Sequence, residues 1–582
     1  MYHSHVHRIA VLRGWQSWRD AVAVLLVFGV MILIGTGAHQ ALSPFIASRP
    51  TPISLSPAAL PMYTLRTVLR MLAAMLASLL FTFSYATLAA KSRRAEMLLI
   101  PLLDALQSVP ILGYLSFTVV FFVALFPGRL LGPELAAIFA IFTSQAWNMA
   151  FSFYQSLRTV PTDLNDASRS IRSSAWQRFW NLEVPFAMPG LIWNMMMSMS
   201  GGWFFVVASE AISVGNLQIA LPGVGSYVAR AIEVRDLSAV GWAILAMSVA
   251  ILLYDQLLFR PLVAWADKFR SELTAAPVVP RSWVLDLFRR SSLVGLLYKP
   301  FAAGWKRLTS ARLVWPSSAR LQSLVRAMAH YALPSRVVDR LWLAVIVTVV
   351  AYLGWQLTRF VGASLSWLDL RIAAANGALT LLRVMGLVAI ATVVWVPIGV
   401  AVGLRPALTA RIQPIAQFLA AFPANLFFPA VVFLIVRFAL APTIWLPPLM
   451  ILGTQWYILF NVIAGASAFP TDLREAAASF RIGRPKWWRQ VMLPGIFPYY
   501  VTGAITAAGG AWNASIVSEA VSWGTTKLDA GGLGAYIAQM TAAGDYPRIA
   551  LGVAVMSSLV IAMNRLLWRP LYLIAERRTR LD

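Results

Sequence analysis

Cysteine is missing from all 582 residues. Disulfides, thiolate zinc sites, iron–sulfur clusters and cysteine nucleophiles are excluded together, and the redox compartment cannot be read. Charge is scarce as well. Only 12% of residues are Asp, Glu, Lys or Arg, about half the share of an ordinary soluble protein. A water-soluble chain of this length could not cover its surface with so few charges. Acidic residues are the scarcest, 23 against 48 basic ones. No Gly-x-x-x-x-Gly-Lys-Ser/Thr loop occurs, so the chain has no phosphate cradle of the P-loop kind and is not expected to hydrolyse ATP alone.

What fills the chain is apolar: 59% of residues are hydrophobic, in runs long enough to cross a bilayer as helices. The first half places such spans at 21–43, 66–90, 97–126, 131–157, 191–213 and 237–262. The second half places them at 341–361, 373–403, 412–436, 443–467, 498–522 and 548–568. The fold class is therefore all-α integral membrane, with about 12 transmembrane helices.

The net charge of +25 would suggest nucleic acid in a soluble protein. Here its placement gives a topology instead. Arg8, Arg13 and Arg19 precede the first span, Lys91, Arg93 and Arg94 follow the second, and Arg158, Arg169, Arg172 and Arg178 follow the fourth. The second half repeats this with Arg405 and Arg411, the run Arg474 to Arg489, and Arg565 to Arg580. Basic loops stay inside, so both termini are expected in the cytoplasm. The first span is long and no small-residue cleavage site follows it closely, so no cleavable signal is expected. His3, His5 and His7 have nothing to fix a metal geometry, and no metal site is expected.

An internal repeat recurs 309 residues on. Pro161-Thr162-Asp163-Leu164 returns as Pro470-Thr471-Asp472-Leu473, Pro185 as Pro494, Trp203 as Trp512, and Ser209-Glu210-Ala211 as Ser518-Glu519-Ala520. Gly223-x-Gly225-x-Tyr227 returns as Gly532-x-Gly534-x-Tyr536. Upstream the offset drifts to 313, pairing Thr67 and Arg70 with Thr380 and Arg383. Six spans per half give both copies the same orientation, related by a pseudo-twofold axis along the membrane normal. The expected domains are 1–263 and 339–582. Between them lies a basic cytoplasmic linker, 264–338, with Trp283, Trp305 and Trp315. Its aromatic and basic character suits helices lying on the membrane surface, the stretch Arg320–Tyr331 above all; a regulatory or nucleic-acid module is the alternative.

Between the fourth and fifth spans each half carries a loop of about thirty residues. In the second half it includes Glu475-Ala476-Ala477 and closes on Leu493-Pro494; in the first it includes Asp166-Ala167-Ser168 and closes on Val184-Pro185. On these residues the sequence resembles the permease subunits of ABC importers, with the nitrate, sulfonate, taurine and bicarbonate branch suggested by Trp512, Ser518-Glu519-Ala520 and the following Gly-x-Gly. The resemblance implies two fused permease domains and makes these loops the docking sites for two ATP-binding subunits, which would hold ATP and Mg. It also implies a small anionic solute, in a bacterial inner membrane, and leaves open whether an external solute-binding protein delivers it. The glycine of the family's pattern falls at Arg172 and Arg481, which suggests a modified docking surface.

Four ionisable residues lie inside spans, where charge is costly. Arg70 with Glu210 and Arg383 with Glu519 are expected either as structural ion pairs or as the lining of the pathway, beside Trp203 and Trp512. Asp104 and Asp255 have no acidic counterpart in the repeat and stay unassigned. The Gly-x-Gly segments read as tight turns into a short outer helix. An ion-coupled secondary transporter using Glu210 and Glu519 is the alternative function; a membrane-embedded enzyme is disfavoured because no loop is large enough for a catalytic domain.

Overall fold

The computed structural model describes residues 21–22, 52–215, 217–269, 282–311, 335–362 and 364–579. The expected first span (but for two residues), the Arg320–Tyr331 stretch, Trp315 and the three N-terminal histidines lie outside these. Among the described residues eight helices are long and apolar enough to cross a membrane, and eleven if each bent pair counts as one span.

The first half runs α1 (Leu60–Lys91), α2 (Arg93–Ser108), α3 (Ile111–Leu125), α4 (Leu131–Arg158), α5 (Thr162–Ser170) and α6 (Val184–Glu210). A hairpin follows, β1 (Ala211–Val214) with β2 (Leu217–Ala220), then α7 (Val224–Glu233) and α8 (Leu237–Tyr254). The linker carries α9 (Trp283–Arg290) and α10 (Ser292–Ser310). The second half repeats the order: α11 (Ser335–Gly362), α12 (Trp367–Gly403), α13 (Pro406–Ala421), α14 (Phe428–Arg437), α15 (Gln455–Ser467), α16 (Thr471–Ser479) and α17 (Leu493–Ser518). Its hairpin is β3 (Ala520–Trp523) with β4 (Thr526–Asp529), followed by α18 (Leu533–Ala543) and α19 (Tyr546–Met563). Both hairpins are antiparallel with matching register, Ala211 opposite Ala220 and Ala520 opposite Asp529.

Three expected spans are not single straight helices. The segment expected at 97–126 breaks between α2 and α3 and bends by 102°; that expected at 412–436 breaks between α13 and α14 and bends by 72°. Both breaks fall on a proline, Pro110 and Pro423, which stand 313 residues apart. Proline forces the residue before it out of the helical region, and Val109 and Phe422 are extended, with ψ of 125° and 130°. The third, at 443–467, bends by 42°. The span expected at 191–213 is also displaced: α6 spans Val184–Glu210, and the chain turns to strand at Ala211.

The repeat reaches even irregular turns. Single π-helical turns at Phe179–Glu183 and Asp255–Phe259 return at Trp488–Met492 and Asn564–Trp568. Each stands just before a proline (Pro185, Pro261, Pro494 or Pro570), whose missing N–H and bulky ring disrupt the regular ladder.

The halves are interlocked. Ile111, Leu112 and Leu115 of α3 belong to the core built by Trp512, Ile516 and Ile537 of the second half. Reciprocally, Phe422 and Leu426 join the first-half core of Trp203, Val206 and Tyr227. Each half lends its broken span to the other. Helix α11, by contrast, buries none of its apolar stretch in the protein and touches the first half through Arg94 with Asp339 (3.4 Å) and the Trp342 indole on the Arg94 carbonyl (3.0 Å).

Candidate transport pathway and docking loops

At the end of the bundle opposite the α5 and α16 loops, called outer here, the buried charges form two related latches. In the first, the Glu210 carboxylate accepts from Thr67 Oγ1 (2.7 Å), Arg70 Nη1 (2.7 Å) and the Gly225 N–H (2.6 Å). Thr67 Oγ1 in turn accepts from the Val224 N–H at 3.1 Å. In the second, Glu519 accepts from Thr380 (2.9 Å), Arg383 Nη1 (2.9 Å) and the Gly534 N–H (2.7 Å), while the Leu533 N–H donates to Thr380 at 2.8 Å. Both glutamates are fully buried. Each latch ties a span-two helix, a span-five helix and the start of α7 or α18 together.

The same latch explains the Gly-x-Gly motif. A Cβ at Gly223 or Gly532 would overlap the glutamate carboxylate, and one at Gly225 or Gly534 would overlap the α6 or α17 backbone. Gly532 also holds φ at +108°, open to glycine alone at low cost. The motif is a close approach to a carboxylate, which the spacing alone did not reveal.

The two latches differ in one respect. Arg70 also donates from Nε and Nη2 to both oxygens of Glu134, at 2.6 and 2.7 Å. Both arginines donate to a carbonyl at matching places, Arg70 to Pro222 (3.1 Å) and Arg383 to Gly531 (2.6 Å), and where Arg70 has Glu134, Arg383 has the Ala530 carbonyl (2.6 Å). The first half thus holds two acids against one base. Glu134 escaped the sequence reading because the position 309 residues on is Thr443, so the repeat gave no signal.

Trp203 and Trp512 are both buried; Trp203 stacks edge-on against Tyr254 at 5.6 Å and lines an inner cavity. The hairpins meet across the halves over an outer cavity of about 500 Å³. Its walls pair by the repeat: Val207 with Ile516, Ser213 with Ser522, Ile232 with Thr541. Asp236 caps α8, and the Ser238 hydroxyl and Ala239 N–H hold its carboxyl below the usual range. Two inner cavities flank the axis, of about 310 and 360 Å³. Asp104 and Asn564 line the first, Gln417 and Asp255 the second. Asp104 and Gln417 correspond in the repeat, as do Asp255 and Asn564, so at these two places each cavity has an acid where the other has an amide. Asp255 is engaged by Arg260 Nε at 3.2 Å. Among the described residues no Lys or Arg lines the 310 Å³ cavity. Neither Glu210 nor Glu519 lines any of these three cavities.

At the opposite end α5 and α16 project from the bundle. Asp166, Ala167 and Arg172, like Glu475, Ala476 and Arg481, are exposed; Ser168 is half-buried and Ala477 is buried. The acids of the first turn are Asp163 and Asp472; Asp166 and Glu475 stand a turn further in. Each helix ends in the same motif. The Ser173 N–H reaches back to the Ser168 carbonyl (3.2 Å), and Ile482 to Ala477 (3.1 Å), with Arg172 and Arg481 in the left-handed region at φ of 51° and 48°. That is the helix-ending turn in which glycine is preferred. Just before each arginine stands an exposed apolar residue, Ile171 (74% exposed) and Phe480 (80%). Two large apolar side chains at matching exposed places suit burial by a partner.

No solved structure matches this chain. Curated relatives do. It is 28% identical over 163 residues to the bicarbonate transport system permease protein CmpB of Synechococcus elongatus, 26% of this chain and 52% of that one. It is 32% identical over 137 residues to the glycine betaine/proline betaine permease ProW of Escherichia coli, 23% and 36% of the two chains. It is 22% identical over 244 residues to the nitrate import permease NrtB of Synechocystis, 40% and 84% of the two. The chain thus spans about half the length of the bicarbonate relatives and about a third of the betaine one. One family model matches twice, over residues 82–260 and 395–580, once in each copy of the repeat. This multi-pass membrane chain belongs to the family of binding-protein-dependent transport system inner membrane components, with two copies of that component fused in one polypeptide.

Proposed function

We infer that this chain is the whole membrane pathway of an ATP-driven importer, moving a small solute inward while separate subunits hydrolyse ATP. The observation that carries this reading is the duplicated projecting loop. Both copies end one short helix in the same left-handed arginine turn, with Ile171 or Phe480 exposed beside it. An ion-coupled transporter has no use for two such loops, and its candidate carboxylates, Glu210 and Glu519, are fully buried and bonded.

In this reading the ATP-binding subunits, with ATP and Mg, dock on Asp166–Arg172 and Glu475–Arg481, and both termini lie in the cytoplasm. An external solute-binding protein delivers the solute to the outer cavity. The solute is a small anion, in keeping with the bicarbonate and nitrate relatives. Such an anion meets hydroxyls and amides in the 310 Å³ cavity and no fixed cation, a weak hold that favours release over retention.

Mass measurement of the purified complex tests the assembly. One copy of this chain with two ATP-binding subunits is expected; two copies per pair of ATP-binding subunits would refute it. ATPase stimulation of the reconstituted complex by a panel of bicarbonate, nitrate, sulfonates and betaines tests the solute class.

A further inference from the structure

The linker helix α10 carries an apolar stripe that this chain covers only in part. Tyr298, Phe301, Trp305 and Leu308 recur at helical spacing on one face. At its C-terminal end the helix is held to the first half, although Trp305 and Leu308 themselves stay about half exposed. The Trp305 ring meets Trp180 edge-on at 4.9 Å, the Trp176 indole N–H donates to the Leu308 carbonyl (2.8 Å), and the Gln177 amide donates to the Ser310 carbonyl (2.7 Å). Its N-terminal end is bare, with Tyr298 66% and Phe301 77% exposed.

The seat tells what lies over the bare end. Trp176 and Trp180 stand at the loop-side end of one continuous membrane span, Ala175–Glu210. Tryptophans there mark the level where a span leaves the lipid, so α10 lies at that level. The helix has no acidic residue; Lys299 and Lys306 lie together on one side of it, each about a quarter-turn from Tyr298 or Trp305, where their stems can lie along apolar surface and their ammonium groups reach phosphates. Lipid is the surface that offers both an apolar floor and anionic head groups at that height.

We propose that α10 rests on the anionic inner leaflet through Tyr298, Phe301 and its two lysines, and that its C-terminal end fixes the first docking loop to that surface. The proposal rests on the inward orientation of the docking loops given above. It concerns one loop alone. In the second copy the positions of Trp176, Gln177 and Trp180 are Pro485, Lys486 and Arg489, which supply neither the indole nor the amide donor. The two docking loops are then unequal: one is held to the membrane surface through the linker and the other is not.

The absence of native cysteine makes the test direct. Phe301→Cys and, on the opposite face, Ala303→Cys are each labelled with a small fluorophore in the assembled complex. The complex is placed in phosphatidylcholine vesicles with or without phosphatidylglycerol. Nitroxide lipids should quench the label at 301 and aqueous iodide the label at 303. Lys299→Glu with Lys306→Glu should lower lipid quenching at 301 roughly tenfold in the anionic vesicles. Equal iodide quenching at both positions would overturn the proposal. So would shielding at 301 that appears only with the ATP-binding subunits bound, since that would make the partner a protein. Co-purification of those subunits is scored separately, so failure of the docking reading and failure of this one are told apart.

Discussion

The Gly215 N–H donates to the Thr541 carbonyl, 3.0 Å away in the other half of the molecule. Its repeat counterpart Gly524 donates to Ile232 at 2.9 Å. Each hairpin therefore clasps the outer helix of the opposite half, and both hairpins line the outer cavity. On one side the Arg235 guanidinium adds a bond to Thr525 (2.9 Å); the repeat puts Gly544 in its place.

If import requires the outer cavity to open, the clasp must part in each cycle. Ser116 Oγ and Thr541 Oγ1 stand 3.3 Å apart across the halves. Ser116→Cys with Thr541→Cys should form a disulfide on oxidation, stop transport, and recover on reduction. Undiminished transport with the cross-link complete would show that α3 and α18 stay joined throughout the cycle.

The two latches should respond differently to loss of both partners. Removing one member of a buried pair costs about 3–5 kcal/mol. Arg383→Met with Glu519→Met should regain most of that, because no other charge depends on either side chain. Arg70→Met with Glu210→Met should not, because Glu134, only 14% exposed, loses its bidentate partner. Adding Glu134→Gln should restore it. Denaturant unfolding in detergent reads the difference; equal recovery in both halves would show that Glu134 contributes nothing.

Asp104 is the single charged residue lining the 310 Å³ cavity among those described. For an anionic solute, Asp104→Asn should lower the concentration needed for half-maximal uptake, since a repelling charge is gone. A rise instead would assign the solute a cationic group.

The left-handed arginines separate backbone from side chain. A non-glycine residue there costs about 1–2 kcal/mol, so Arg172→Gly with Arg481→Gly should unfold at a slightly higher temperature. If the guanidinium groups touch the ATP-binding subunits, the same variant should lose part of its transport per ATP hydrolysed. Stability and coupling moving together in one direction would argue against a docking role.

The repeat made much of this legible. Two copies of a span order, of the Thr-x-x-Arg pair and of the Ser-Glu-Ala triplet fix topology and candidate charges without any contact being known. The breaks at Pro110 and Pro423 were invisible to hydropathy because the residues on both sides stay apolar through a bend of 102° or 72°. Asn513 was equally silent, although its side chain accepts from the Ile111 N–H (2.7 Å) and so caps the broken span of the other half. Contacts between copies leave no period in a sequence. Residues unique to one copy, Glu134 foremost, lack the repetition that singles out the rest.

Fusion of the two copies has a consequence for how such a pathway can evolve. In a pathway made of two identical chains every substitution arrives twice and must be tolerated on both sides of the axis. Here each position has two independent addresses, so a carboxylate can be gained at 134 with threonine kept at 443, or exchanged with an amide between 104 and 417. One wall of the channel, or one docking loop, can be retuned by a single codon while its twin preserves the original chemistry.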